Sequence, residues 1–476
     1  MVLAALILAM FVAAIEATIV ATAMPSIVAQ LGGLALYSWV FSGFLLMQAV
    51  TIPIYGKLSD LFGRKPVFLA GLLVFLFGSA LCGFAPSMSA LVAFRFIQGM
   101  GAGSVQSIAT TLIGDLYSLE ERARIQGYVS SVWGISAIVG PLAGALIVQH
   151  GSWPWVFWLN LPFGILTMVL LELFLHEEVK PREASIDYAG AAWLLVSLLA
   201  LMLGLTQAGR WGVAGAAGLM AAAAAAFALF IRQERRAPDP IMHLELWHQS
   251  VIAFANVATL CTGIAMIGVI TFMPIYVQSV LGDSALVAGI ALCAMSIGWP
   301  LASVITGRLL TRVGMRPLAR IAGAIVLVAA LLVALAIERG AAVAAAGSFI
   351  MGVGLGVLNA TVIVAIQSSV GWAQRGVATA SNMLMRILGN TLGAALFGGV
   401  LNFMVRRGAG PSAMQSLQDV LSAGSVHPAS LASGLELVFW GVVAFSAFAL
   451  AACWMIPEHH LGAMRRPAGK PDQARG

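Results

Sequence analysis

The stretch GKLSDLFGRKPV occupies residues 56–67 and places four charges between two long apolar segments. A weaker copy of it, GRLLTRVGMRPL, returns at residues 307–318. The whole chain is 61% hydrophobic and only 9% charged, whereas a soluble domain carries roughly 25% charged residues. Long apolar runs broken by short charged clusters are typical of membrane spans, each of about 20 residues. The composition therefore predicts a protein that crosses the membrane many times.

Fourteen apolar segments of spanning length follow one another along the chain. Two of them, residues 188–208 and 212–231, lie between two groups of six. Only helices or closed barrels satisfy backbone hydrogen bonds in lipid, and the short alternating segments of a barrel do not occur. The sequence thus predicts an all-α integral membrane protein. Residues 1–24 are interpreted as the first span rather than a signal peptide, because no basic region precedes them and Glu16 interrupts them.

Basic residues set the expected orientation. With the N-terminus in the cytoplasm, nineteen of the 25 lysines and arginines fall in cytoplasmic segments and four fall outside. The remaining two, Arg95 and Arg386, lie within spans. This positive-inside bias predicts a multi-pass protein of the inner or plasma membrane with both termini cytoplasmic. It also accounts for the net charge of +6 without a nucleic-acid partner. The four cysteines lie in apolar segments without a CxxC motif, which predicts thiols rather than disulfides.

The two groups of six spans repeat each other. Gly56 and Gly63 recur as Gly307 and Gly314, 251 positions later, and FIQGMGAG at 96–103 recurs as FIMGVGLG at 349–356, 253 positions later. An even number of spans in each unit gives both halves the same orientation, as in transporters with parallel repeats, whose substrate site lies between the halves. The expected domains are an N-terminal six-helix bundle at 1–186, two inserted helices and a cytoplasmic linker at 187–250, a C-terminal six-helix bundle at 251–456 and a cytoplasmic tail at 457–476.

Several motifs resemble the major facilitator superfamily. Residues 56–66 are similar to its signature between the second and third helices, and Arg95 with Gln98 and Gly99 matches its fourth-helix motif. GISAIVGPLAGAL at 134–146 resembles the fifth-helix motif of antiporters. WPWVFWLNLPFG at 153–164 and IEATIVATAMPSI at 15–27 resemble the fourteen-helix drug:proton antiporter branch. The resemblance implies a major-facilitator fold with two six-helix bundles plus two inserted helices.

It also implies a secondary active transporter that exports hydrophobic or cationic small molecules in exchange for protons, as in multidrug efflux and drug resistance. A dedicated proton-coupled exporter of a metabolite, lipid or siderophore would share these features, and a non-transporting sensor on the same fold is a further alternative. No GxxxxGK[ST] or HExxH motif occurs, so neither an ATP-driven pump nor a metalloenzyme is expected. We expect no enzyme activity, no metal and no cofactor besides the proton gradient. The expected partners are a small-molecule substrate, membrane lipids and protons, for a monomer with or without a periplasmic adaptor.

The resemblance implies that one charged cluster latches the two halves in the outward-open state. Its residues are Gly56, Asp60, Gly63, Arg64 and Asp115. Asp60 and Arg64 are four positions apart and can face each other across one helical turn. The alternative is that the positive residues only hold the loop in the cytoplasm.

Glu16 and Arg95 lie within spans, where a charge costs roughly 2.5–3.5 kcal/mol on insertion scales. We interpret Glu16 as the proton-coupling carboxylate and Arg95 as the charge that tunes it. The alternatives are a neutral helix contact for Glu16 and bonds to backbone carbonyls for Arg95. Gln98 and Gln106 share a helical face with Arg95 and are candidates for a substrate cavity.

A polar stripe follows the thirteenth span, where Asn382, Arg386 and Asn390 repeat every four residues. Such a stripe suits either a helix interface or contact with substrate. In the antiporter motif, four residues are expected to bend the fifth span and let a neighbouring helix pack closely: Gly134, Gly140, Pro141 and Gly144.

Overall fold

The computed structural model of the chain describes residues 1–32, 36–177, 187–206, 208–238, 240, 242, 244–283, 285–335, 339–409 and 428–457. The regular structure of these residues is helical throughout, as the sequence predicts. The four cysteines are free thiols, which also agrees with the prediction. All but the first residue of the predicted cytoplasmic tail lies outside the described residues.

Six helices form the N-terminal half: α1 (Val2–Leu31), α2 (Tyr37–Phe62), α3 (Arg64–Gly83), α4 (Met88–Leu116), α5 (Leu119–His150) and α6 (Trp155–Phe174). The sequence predicts the sixth of these as one uninterrupted span. In the structure α6 has two segments, Trp155–Trp158 and Asn160–Phe174. Pro162 lacks the N–H that would bond to the carbonyl four residues earlier, which accounts for the interruption.

Eight further helices follow: α7 (Tyr188–Thr206), α8 (Ala208–Glu234), α9 (Ser250–Ser279), α10 (Ala285–Val313), α11 (Met315–Leu335), α12 (Ala341–Ser369), α13 (Arg375–Ala409) and α14 (Pro428–Met455). The two predicted inserted spans fall on α7 and α8. A single 3₁₀ turn, Trp372–Gln374, leads from α12 into α13.

Eleven helices of the described part are long and apolar enough to cross a membrane, judged by length and composition. The other three are α4, α5 and α7. Polar side chains lie along α4, a charged turn begins α5, and the apolar part of α7 is short. A total of fourteen membrane crossings therefore stays a prediction.

The two halves meet along two pairs of helices. α2 lies against α13, and α5 lies against α10. In the repeat, α2 corresponds to α10 and α5 to α13, so the internal symmetry exchanges the two pairs. α7 and α8 pack on each other, and α7 also contacts α2 and α13. The inserted pair thus lies beside one of the two seams between the halves.

Candidate functional site

Glu16 and Arg95 form an ion pair inside the N-terminal half. Glu16 lies near the middle of α1, and Arg95 lies about two turns into α4. Arg95 Nη1 donates to Glu16 Oε1, and the two residues are only 1% and 0% exposed. Arg95 therefore lies close enough to Glu16 to act on it by charge, and its role in proton coupling stays a prediction. Because each charge offsets the other, the pair can be buried where either charge alone would be strongly unfavourable.

Three neutral side chains complete the hydrogen bonds of the pair. Asn160 Nδ2, on α6, donates to Glu16 Oε2 at 2.5 Å and to Ser79 Oγ at 2.9 Å. Gln98 Oε1 accepts from Arg95 Nη1 at 2.8 Å, and Gln98 Nε2 donates to Ser79 Oγ at 3.1 Å. We refer to Glu16, Ser79, Arg95, Gln98 and Asn160 as the N-half network.

Backbone and aromatic groups hold the rest of the Arg95 guanidinium. Its Nε donates to the carbonyl of Val40 at 2.9 Å. The ring centroids of Phe44 and Phe157 lie 4.2 Å and 5.9 Å from its Cζ. Arg95 therefore has a counter-ion, hydrogen-bond acceptors and two aromatic neighbours. A proton added to Glu16 would remove the negative charge and leave this buried cation without a counter-ion.

Asp60, Arg64 and Asp115 meet at the predicted cytoplasmic end of the same half. Arg64 Nη1 lies 2.6 Å from Asp60 Oδ1, and Arg64 Nε donates to Asp115 Oδ2 at 3.0 Å. Gly63 separates α2 from α3 with a φ of +95°, a backbone conformation that glycine adopts without steric cost. The charged cluster that the resemblance implies is therefore present.

This charged cluster also joins the two halves. Asp60 accepts hydrogen bonds from the backbone N–H groups of Gly376 at 3.1 Å and Val377 at 3.0 Å, in the first turn of α13. Arg64 Nη2 donates to the carbonyl of Trp372 at 2.9 Å, and its Cζ lies 4.4 Å from the Trp372 ring centroid. A carboxylate at a helix N-terminus satisfies N–H groups that have no partner within the helix and complements the helix dipole.

Arg375 provides a second link between the halves. Its Nη1 donates to Asp115 Oδ1 at 2.5 Å and to the carbonyl of Gly114 at 3.1 Å. Asp115 thus binds one arginine from each half. We refer to Asp60, Arg64, Asp115, Trp372 and Arg375 as the latch. Because these contacts all lie at one end of the molecule, they hold the two halves together there.

Arg122, at the start of α5, stands beside the latch and outside the predicted span. Its Nε donates to the carbonyl of Tyr117 at 2.8 Å. Burial and the positive charge of Arg375 lower the pKa of Arg122 to about 10, and Asp115 acts in the opposite direction. Positive charge is therefore crowded at this end, and Asp115 offsets part of it.

Close helix contact at the α2–α13 seam depends on glycine. A Cβ on Gly56 would lie 2.7 Å from the Ala380 Cβ and 2.9 Å from the Gly376 carbonyl oxygen. Both distances are well below ordinary contact. The two helices therefore approach closely at Gly56, and a larger residue there would push the halves apart.

The antiporter motif lies along α5, which contacts α1 and α10. A Cβ on Gly134 would lie 3.0 Å from the carbonyl oxygen of Ser296 on α10, and Gly140 lies against α1. Gly144 is buried, and Pro141 lies within a helix that continues through it. The predicted close packing is present at Gly134 and Gly140.

The polar stripe of α13 makes its first contacts with α9. Asn382 Nδ2 donates to Asn256 Oδ1 at 3.0 Å and to Thr259 Oγ1 at 2.9 Å, and Asn382 is 2% exposed. Asn390, two turns further on, also lies next to α9, with its Oδ1 near Gly263. In the structure these two asparagines thus lie at a helix interface, the first of the two alternatives for the stripe.

Arg386 lies between Asn382 and Asn390 on α13, but its side chain contacts α12. Its Nη1 lies 3.4 Å from Asn359 Oδ1 on α12, a long hydrogen bond. Among the described residues, no carboxylate lies within ion-pair distance of its guanidinium. The side chain is partly exposed.

Gln98 and Gln106, predicted to share a cavity face with Arg95, occupy different surroundings. Gln98 is 0% exposed in the N-half network. Gln106 is partly exposed and accepts from Gln48 Nε2 on α2 at 3.4 Å. Gln106 follows Arg95 by eleven positions, about 17 Å along the helix axis, so angular alignment alone does not bring them together. A cavity role for either glutamine stays a prediction.

Comparison with known proteins agrees with this architecture. A family model described as "Major Facilitator Superfamily" matches residues 6–394. The chain belongs to the major facilitator superfamily. Its relatives include "Multidrug transporter protein MdtP" of Bacillus subtilis, 35% identical over 83% of this chain and 74% of that protein. "Multidrug resistance protein 3" of Bacillus subtilis is 37% identical over 83% of this chain and 78% of that protein.

Solved structures of the same superfamily share the fold. The crystal structure of the human organic anion transporter MFSD10 (TETRAN) superposes with a TM-score of 0.67 at 17% identity, covering 96% of this chain and 99% of that one. The proton:xylose symporter XylE superposes with a TM-score of 0.66 at 13% identity, covering 96% and 95%. This chain is thus a multi-pass membrane transporter with the all-α major-facilitator fold.

Sequence reasoning missed several residues of this major-facilitator site. Asn160 and Ser79 are single polar residues in apolar helices, and only the occurrence of Asn160 within WPWVFWLNLPFG gave any local signal. Arg375 and Trp372 were not singled out for the latch, because their partners lie about 250 or more positions earlier in the chain. Glu177 was also missed, although its carboxylate accepts from the backbone N–H groups that begin α3 at 2.9 Å and 2.7 Å.

Proposed function

We propose that this major-facilitator protein is a secondary active exporter that moves hydrophobic or cationic small molecules out of the cell in exchange for protons. The observation that carries the proposal is the buried N-half network around Glu16. A carboxylate with 0% exposure, held by one arginine and one asparagine, is suited to change its contacts when it gains a proton. The multidrug names of the two Bacillus subtilis relatives support a role in drug export.

In the proposed cycle the latch closes the cytoplasmic end while the N-half network holds Glu16 charged. Protonation of Glu16 weakens its bonds to Arg95 and Asn160, and this frees α1, α4 and α6 to shift relative to one another. The halves then separate at the latch, and substrate enters from the cytoplasm. Proton release to the cytoplasm restores the ion pair and the closed seam.

Proton-driven efflux in inverted membrane vesicles tests this function. The vesicles contain the full chain, and the assay uses lipophilic compounds of each charge, with tetraphenylphosphonium as the cation. Glu16→Gln is expected to reduce gradient-dependent transport to the level of vesicles without the protein. Glu436→Gln, at an exposed acid near the start of α14, is the matched control and should transport normally. Undiminished proton-driven efflux by Glu16→Gln would contradict the assignment.

The proposed setting is the inner or plasma membrane, with both termini cytoplasmic and with no cofactor besides the proton gradient. A monomer is proposed as the transporting unit, with membrane lipids around it and a periplasmic adaptor as an optional partner. A reporter fused after Arg210 should lie outside and one fused after Arg236 inside, because α8 is proposed to cross the membrane between them. Reporters on the same side would rule out fourteen crossings.

A further inference from the structure

Arg386 lies at mid-membrane depth in the C-terminal half. It follows the first residue of α13 by eleven positions, about 17 Å along the helix, or roughly half the hydrocarbon thickness. Asn359, its hydrogen-bond partner, precedes the last residue of α12 by ten positions, which is about 15 Å. The two side chains thus come from different helices and meet at one depth.

The surroundings of Arg386 leave its charge without the compensation that Arg95 has. Arg95 has a carboxylate, the side-chain oxygen of Gln98, a backbone carbonyl and two aromatic rings around it. For Arg386 the described residues supply one amide oxygen at 3.4 Å and no carboxylate. A guanidinium at this depth carries a large free-energy cost unless an acceptor meets it. An intramembrane cation without a carboxylate partner among the described residues therefore points to a counter-ion supplied by a bound ligand.

The neighbouring side chains indicate the rest of that ligand. Met385 and Ile387 flank Arg386 on α13 and are partly buried in an apolar cluster that also includes Phe96 of α4. Met385 and Ile387 thus link the turn of α13 that carries Arg386 to apolar groups of both halves. Asn359 carries amide N–H donors next to the guanidinium, and the guanidinium itself has five N–H donors in a planar fork. A carboxylate matches this fork with two parallel hydrogen bonds.

We propose that Arg386 and Asn359 bind the carboxylate of an amphipathic organic substrate, whose apolar body packs between the halves beside Phe96, Met385 and Ile387. This proposal rests on the proposed transport function and narrows its substrate class to hydrophobic molecules that carry a carboxylate, so cations are excluded from this site. Proton coupling remains with Glu16 in the N-terminal half, so proton and substrate occupy different sites.

Binding of matched ligands to the purified full chain in lipid nanodiscs tests the site. Naphthoate carries the carboxylate, naphthamide has the same apolar body without charge, and tetraphenylphosphonium is a lipophilic cation. The wild-type protein should bind naphthoate at least about tenfold more tightly than naphthamide, because only the anion makes charge-assisted hydrogen bonds. Arg386→Gln should remove that preference, while Arg386→Lys should keep part of it. Arg232→Gln, at an exposed arginine of α8, is the matched control and should bind as the wild type does.

Two outcomes would overturn the proposal: equal binding of naphthoate and naphthamide to the wild type, or an unchanged preference for naphthoate in Arg386→Gln. If Arg386→Gln does not fold, the wild-type ligand pair and Arg386→Lys still decide the question. Preferred binding of tetraphenylphosphonium over naphthoate would assign the substrate site to cations and also contradict the proposal. The assay uses no proton gradient, so failure of proton-driven efflux with intact charge-selective binding would refute only the proposed transport cycle.

Discussion

The two six-helix halves share a fold but differ in how they neutralise positive charge. In the N-terminal half Arg95 is buried against Glu16, whereas in the C-terminal half the described residues give Arg386 no carboxylate. At the position of Asp60 in the first copy, the second copy has Thr311. Duplication has thus preserved the helices and their glycines but not the acids. The difference teaches that the N-terminal half carries its own counter-ions, while the C-terminal half keeps a charge available for a ligand.

Loss of one arginine from each half should therefore have opposite effects on stability. Arg95→Gln leaves the Glu16 carboxylate buried without its partner, and breaking a buried ion pair costs about 3–5 kcal/mol. Arg386→Gln removes an uncompensated charge, so the unfolding temperature should stay the same or rise. Thermal unfolding of the purified variants in one detergent measures both.

The double variant Glu16→Gln/Arg95→Gln is the control for this comparison. It removes both charges and should recover a large part of the stability lost in Arg95→Gln. Equal losses for Arg95→Gln and Arg386→Gln would show that the two arginines are compensated alike, and the contrast between the halves would be wrong.

The latch shows the same contrast at the predicted cytoplasmic end. Asp115→Asn removes the carboxylate that binds Arg64 and Arg375, and a hydrogen bond to a charged group contributes about 1.5–3 kcal/mol. The seam should open more often, so maleimide should label Ala380→Cys at least about tenfold faster. A Cys293→Ser background removes the exposed native thiol.

The matched control for the latch is Arg312→Gln, which removes a charge from the second copy of the signature. Labelling should stay at the background rate, because this copy has no acid at the position of Asp60. If Arg312→Gln opened the seam as much as Asp115→Asn, the asymmetry of the two copies would have no functional meaning.

A smaller effect is expected from the seam glycine of α2. Gly56→Ala adds a methyl group 2.7 Å from the Ala380 Cβ, and such overpacking costs about 1–3 kcal/mol. Gly398→Ala in α13 is the control, because its Cβ would have no neighbour within 4 Å. The first substitution should lower the unfolding temperature, and the second should leave it unchanged or raise it slightly. Equal unfolding temperatures would indicate that the halves are not tightly packed at this seam.

The predictions that the structure bears out rest on local signals. The spacing of Asp60 and Arg64 predicts their contact, and the cost of an intramembrane charge singles out Glu16 and Arg95. The sequence left open whether Arg95 acts on Glu16 or binds backbone carbonyls, and in the structure it contacts Glu16 and the carbonyl of Val40. The antiporter motif indicated the close helix contacts of α5.

The missed features depend on tertiary contacts between distant parts of the chain. Asn160 is one polar residue in an apolar helix, and nothing near it in sequence shows that it reaches Glu16, 144 positions away. The same holds for the contact of Arg375 with Asp115, 260 positions apart. Gln106 was grouped with Arg95 by angle around the helix, but separation along the axis placed them in different surroundings.

The separation of the proton site at Glu16 from the substrate site at Arg386 is tested most directly in two variants, Glu16→Gln and Arg386→Gln. Naphthoate binding and naphthoate-driven proton movement are measured in both. Reconstituted vesicles with an internal pH dye report proton movement, and nanodiscs report binding. If the two sites are separate, Glu16→Gln should bind naphthoate with an affinity within about threefold of the wild type but should move no protons. Arg386→Gln should lose both the preference for naphthoate over naphthamide and naphthoate-driven proton movement. Proton movement at the wild-type rate in Glu16→Gln, or equal loss of naphthoate binding in both variants, would contradict the separation of the proton and substrate sites.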